Sequence, residues 1–235
     1  MPHASHNNAL LNDIRELVFG LEDGLVSTMG AVAGIAAGTQ NGKVVVLSGA
    51  VLVAVEALSM AAGSYLSNKS HRQMLEAKIR EEREEIETDP ARETEELRVM
   101  YRERGFAPEE IDILIRRITS DKELWLEEMV SKELHIGTQE LRDAPQSGAV
   151  VMGFSYVVAG MVPVVPFICM PVAYALPVSV SATLVALFGV GAWKAKLTGL
   201  SVVKSGLEML VIASGAALTG YVIGRVLGNA FGLNV

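Results

Sequence analysis

Between Ala144 and Trp193 the chain runs for 50 residues without one charged side chain. A helix rises about 1.5 Å per residue and a bilayer core is about 30 Å thick, so about 20 residues cross it. The run is long enough for two crossings and offers water no polar face. Similar stretches recur: Gly24–Gly42 is uncharged, Val44–Asn68 holds only Glu56, and Ser205–Gly224 holds only Glu208. The expectation is an all-α polytopic membrane protein with five spans.

Charge is concentrated elsewhere. Residues 1–67 carry 7 charged side chains, residues 68–144 carry 35 and residues 145–235 carry 5. That partition excludes a single soluble domain with charge spread over its surface. Three regions follow: spans one and two with an amphipathic lead-in (1–67), a charged helical insertion (68–146), and spans three to five (147–235). The net charge of −7 argues against a nucleic-acid partner, and the single cysteine, Cys169, excludes a disulfide framework. No Gly-rich P-loop with Lys-Ser/Thr is present, so nucleotide-driven transport has no support. Met1–Asn12 is polar and does not read as a signal peptide.

Pro163, Pro166, Pro171 and Pro177 punctuate the long apolar run, because proline removes a helix hydrogen bond. Spans are expected at about 147–165 and 173–193 with a Pro-rich connection between them. Lys194, Lys196 and Lys204 follow span four, and 14 of the Lys/Arg residues lie in 68–144. The positive-inside rule then places the N-terminus and the insertion in the cytoplasm and the C-terminus outside. Lys43 and Arg225 are minor exceptions. Gly30, Gly34 and Gly38 form a small-residue stripe on span one, and Gly215, Gly220 and Gly224 a second on span five. Such stripes serve packing within a protomer or contact between two copies.

The insertion reads as three helices: Lys69–Glu87, one opened by Asp89-Pro90, and one opened at Ala107-Pro108 and running to about Arg142. Glu82 and Glu85 share one helix face, Glu93 and Glu96 the next, and Met129 and Glu133 the third. Carboxylates alone suit hard cations, and a thioether shifts the preference toward softer divalent transition metals. The bland alternative is a solvated face neutralised by Lys78, Arg80, Arg83, Arg92 and Arg98.

A carboxylate within a bilayer costs at least about 2.5–3.5 kcal/mol on insertion scales. Asp23, Glu56 and Glu208 are the three candidates. Glu56 and Met60 lie one turn apart on one face, which Ser64 continues, and Met29 and Met209 add further sulfur. Metal binding requires a deprotonated carboxylate, so such a site exchanges protons for metal.

The chain resembles the vacuolar iron transporter family, which includes prokaryotic members, over about residues 12–230. The resemblance rests on Phe19-Gly20-Leu21-Glu22-Asp23-Gly24-Leu25-Val26, on Ser59-Met60-Ala61-Ala62-Gly63-Ser64-Tyr65-Leu66-Ser67, on the charged insertion, and on Lys196-Leu197-Thr198-Gly199. It implies a homodimer exporting Fe²⁺, or Mn²⁺, from the cytoplasm in exchange for protons, with no prosthetic group. Carried over by position, the metal-binding residues are Glu82, Glu85, Glu93, Glu96, Met129 and Glu133, and the pathway residues Asp23 and Met60. Plant-type members carry a glutamate where this chain has Leu52, and many prokaryotic members carry one at Ser64. The acid here is Glu56. The prokaryotic resemblance implies a cell-membrane location.

Two other classes compete. A ferritin-like ferroxidase needs Glu-x-x-His pairs, but His71 follows Asn68 and His135 follows Lys132 at that spacing, which argues against an enzyme. A membrane-anchored metal sensor or buffer would bind without flux, and leaves Glu56 unexplained.

Overall fold

The structure is a computed structural model and describes residues 5–134 and 145–232. The described residues form eight helices and no strand: α1 Ser5–Thr39, α2 Gly42–Thr88, α3 Pro90–Glu103, α4 Pro108–Ile118, α5 Lys122–Lys132, α6 Pro145–Cys169, α7 Val172–Thr198 and α8 Val202–Ala230. Five of them, α1, α2, α6, α7 and α8, are long and apolar enough to cross a membrane. The chain divides into two compact units at Leu66 and after Ala144. The span unit holds α1, the first part of α2, and α6–α8. The inserted unit holds the rest of α2 with α3–α5.

In the inserted unit each helix start is fixed by a local acceptor. Asp89 accepts from the Arg92 amide at 3.2 Å, and Pro90 fills a first-turn position whose missing N–H costs nothing. Glu110 reaches back to the Ala107 amide at 2.8 Å. The apolar faces then close on one core: Leu75 and Ile86 from α2, Leu97 and Tyr101 from α3, Ile111, Ile115 and Ile118 from α4, and Trp125, Leu126, Met129 and Val130 from α5. The expected third helix is broken in two. Asp121 accepts from the Glu123 and Leu124 amides, which starts α5 afresh after α4 ends at Ile118. The end expected near Arg142 lies outside the described residues.

In the span unit Pro163 and Pro166 lie inside α6 and do not end it. In lipid, neighbouring helices can satisfy the disturbed backbone. The buried Ser179 hydroxyl of α7 also donates to the Pro163 carbonyl at 2.7 Å, tying α7 to α6 beside the prolines. The break falls instead at Met170–Pro171, where Pro171 is extended (ψ 150°). Gly199 ends α7 in the left-handed region (φ 70°), with the Gly199 and Leu200 amides both bonded to the Ala195 carbonyl.

The span-one glycine stripe packs within the protomer. A Cβ built on Gly34 would lie 2.6 Å from the Gly220 carbonyl oxygen, and one on Gly38 would lie 2.8 Å from that of Gly224. Gly30 faces Ala216 in the same way. The α8 side of this contact is Gly220, Gly224 and Gly228, whereas Gly215 has nothing within 4 Å. Gly20 and Gly24 make an equally close approach to α6, against Ser155 and the Tyr156 carbonyl.

Candidate metal centre

Three helices of the inserted unit bring five of the sequence-selected glutamates together. One oxygen each from Glu82, Glu85 and Glu93 falls within 4.8 Å of the others, and the same holds for Glu93, Glu96 and Glu133. Glu93 belongs to both triads. The α2 pair and the α3 pair each sit one turn apart, and Glu133 follows α5 as its C-terminal cap.

Burial makes this arrangement costly without a cation. Glu93 is 1% exposed and Glu82 is 3% exposed. Both oxygens of Glu93 and Oε1 of Glu82 are buried and have no hydrogen-bond partner among the described residues. A buried charge without donors loses its hydration uncompensated, and like charges this close repel. Burial first, then the Glu133, Glu93 and Glu85 carboxylates, push the Glu82 carboxyl up to about 8. Glu93 is raised by burial and then by Glu96, Glu85 and Glu133. Glu133 is raised by desolvation, then by Glu96 and Glu85. Glu82 therefore holds a proton at neutral pH that a divalent ion would replace.

The bland alternative, a face neutralised by its own bases, fits only in part. Arg83 pairs with Glu123 at 3.0 Å and Arg98 with Asp112 at 2.6 Å, both outside the cluster. Arg92 is paired to a cluster glutamate, from Nε to Glu96 Oε1 at 2.9 Å. Met129 is fully buried in the apolar core, one turn before Glu133.

The span unit places the other candidates as follows. Asp23 on α1 and Glu56 on α2 are both half-buried. Met60 is half-buried one turn after Glu56. Glu208 is exposed, whereas Met29 and Met209 share one apolar cluster with Leu25 and Leu187. Sequence reasoning missed Ser27 and Tyr156. The Ser27 hydroxyl donates to the Asp23 carbonyl at 2.7 Å and lies 2.7 Å from the Tyr156 hydroxyl. The only signal was a polar Ser155-Tyr156 pair within the uncharged run.

Five membrane-length helices with a carboxylate cluster in an inserted unit define a multi-pass helical membrane protein equipped to handle cations. Residues 14–225 match the VIT family. Among curated relatives, vacuolar iron transporter 2 of Oryza sativa subsp. japonica is 32% identical over 209 residues, 88% of this chain and 85% of the relative. The vacuolar iron transporter of Centaurea cyanus is 30% identical over 220 residues, covering 93% and 89%. That of Plasmodium falciparum is 26% identical over 237 residues, covering 97% and 86%. The chain belongs to the VIT family. It is a transporter that moves metal ions across a membrane and not an enzyme.

Proposed function

We propose that this transporter exports Fe²⁺, or Mn²⁺, from the cytoplasm in exchange for protons, as a homodimer. The inserted unit collects the ion on the cytoplasmic side through Glu82, Glu85, Glu93, Glu96 and Glu133, with the Met129 sulfur tilting the choice toward softer ions. Asp23, Glu56 and Met60 then carry it through the membrane at the dimer interface. One observation supports the reading above all: two overlapping carboxylate triads in which the buried Glu93 oxygens and Glu82 Oε1 have no hydrogen-bond partner among the described residues. Relatives named vacuolar iron transporters support iron as the cargo. Proton exchange follows from chemistry, because a carboxylate must release its proton before it binds metal.

The test is reconstitution in liposomes under an imposed pH gradient, following Fe²⁺ entry and lumenal pH together under anaerobic conditions. Metal influx with opposite proton movement, lost in Asp23→Ala and Met60→Ala, is the expected result. Full flux in both variants would discard the pathway. Metal binding without flux in the wild type would convert the reading to a membrane-anchored buffer or sensor.

A further inference from the structure

Arg92 sits where its own helix disfavours it. It occupies the first turn of α3, just after Pro90, with its amide held by Asp89 Oδ1. Helix N-termini favour acids, and a cation there works against the macrodipole. The side chain bends to the carboxylate cluster: Nε donates to Glu96 Oε1 at 2.9 Å, and the guanidinium interacts electrostatically with Glu85, Glu93 and Glu133 as well. The neighbouring arginines Arg83 and Arg98 are engaged elsewhere. The Arg92 side chain is 61% exposed, so no packing holds it in place and it can swing away.

We propose that Arg92 is a built-in competitor cation that makes the two triads unequal. An ion arriving at Glu93, Glu96 and Glu133 must take Glu96 from the guanidinium. An ion arriving at Glu82, Glu85 and Glu93 breaks no such bond. The buried Glu82 Oε1, which has no hydrogen-bond partner among the described residues and belongs to the first triad alone, favours that triad further. The consequence is a tight site that fills first and a loose site whose ion is released readily. This inference rests on the reading of the cluster as a metal site and adds the order of filling and the residue that sets it.

The experiment is calorimetric titration of the full-length protein in detergent with Mn²⁺, for wild type, Arg92→Gln and Arg92→Lys. An exposed ion pair is worth up to about 1 kcal/mol, or roughly fivefold in affinity, and a fixed charge near the bound ion adds to it. Wild type should bind in two steps. Arg92→Gln should tighten the weaker step about 5-fold to 10-fold and move the tighter step by less than about threefold. Arg92→Lys keeps the charge and should stay close to wild type. A single step in the wild type, an unchanged weaker step in Arg92→Gln, or equal tightening of both steps overturns the inference. Absence of Mn²⁺ binding by the wild type would instead overturn the metal-site reading itself.

Discussion

Tyr156 of α6 donates its hydroxyl hydrogen to Ser27 Oγ of α1 across 2.7 Å. The direction is settled by bookkeeping of a single proton: Ser27 already spends its own O–H on the Asp23 carbonyl. Tyr156 is completely buried, so its hydroxyl has no water to fall back on. The pair fastens α6 to the turn of α1 that carries Asp23. Interhelical hydrogen bonds in membranes average about 0.6 kcal/mol and reach about 1.7. Tyr156→Phe and Ser27→Ala should each lower stability in detergent by an amount in that range, read as a lowered thermal midpoint. The double variant should lose less than the sum, because both singles remove the same bond. Strict additivity would show that the two hydroxyls are not coupled.

Acidity should govern both stability and metal capture in the inserted unit. The folded Glu82 value near 8 lies above its ordinary value of 4.5, so the folded chain holds a proton that the unfolded chain releases. Without metal, the Glu82 contribution is favourable below about pH 4.5 and is lost as pH rises through about 8. Added Mn²⁺ should reverse the trend, because it binds the deprotonated form. Apparent Mn²⁺ affinity should rise by about tenfold per pH unit between roughly pH 6 and 8, and Glu82→Gln should flatten that slope. Affinity that is flat with pH in the wild type would remove Glu82 from the ligand set.

The α1–α8 contact leaves no room for a side chain. Gly34→Val must push its Cβ away from the Gly220 carbonyl oxygen, which a built Cβ meets at 2.6 Å. Overpacking of this kind costs about 1–3 kcal/mol, visible as a lowered thermal midpoint. Gly215→Ala is the control, since its site is open to 4 Å. Equal behaviour of the two variants would refute the glycine contact.

Met129 separates packing from ligation. It is fully buried among Leu97, Trp125 and the other core residues, so Met129→Ala should cost about 2–5 kcal/mol. Met129→Leu conserves volume and should cost less than about 1.5 kcal/mol. With the sulfur gone and the core intact, Co²⁺ affinity should fall relative to Mg²⁺ affinity. An unchanged ratio would make Met129 a core residue alone.

The parts of this architecture that depend on local spacing could be read from the chain. Charge-free runs mark the five membrane-length helices, and pairs three residues apart mark the faces of Glu82, Glu85, Glu93 and Glu96. Ile111, Leu114, Ile115 and Ile118 announce a buried face; the isoleucines are buried and Leu114 is partly buried against the same core. What depends on which helices meet could not be read. The Gly30–Gly38 stripe has the same spacing whether it faces another copy or, as found, α8. The break before α5 hid because Asp121 interrupts an otherwise helix-favouring stretch, and a lone Asp is an equally good surface residue. Pro163 and Pro166 misled for the opposite reason: a bilayer penalises interruption of a helix more than the loss of two hydrogen bonds. Arg92 was visible as one of several bases, but its choice of Glu96 required the fold.

Glu93 counts in both triads, and that double membership has a spectroscopic meaning. Two Mn²⁺ ions held at once would share its carboxylate as a bridge, and their unpaired electrons would communicate through it. The hyperfine-resolved resonance of an isolated Mn²⁺ at low loading would then give way, at full loading, to the broadened signal of a spin-coupled pair. Glu93→Gln would weaken that magnetic conversation at the carboxylate the two triads share.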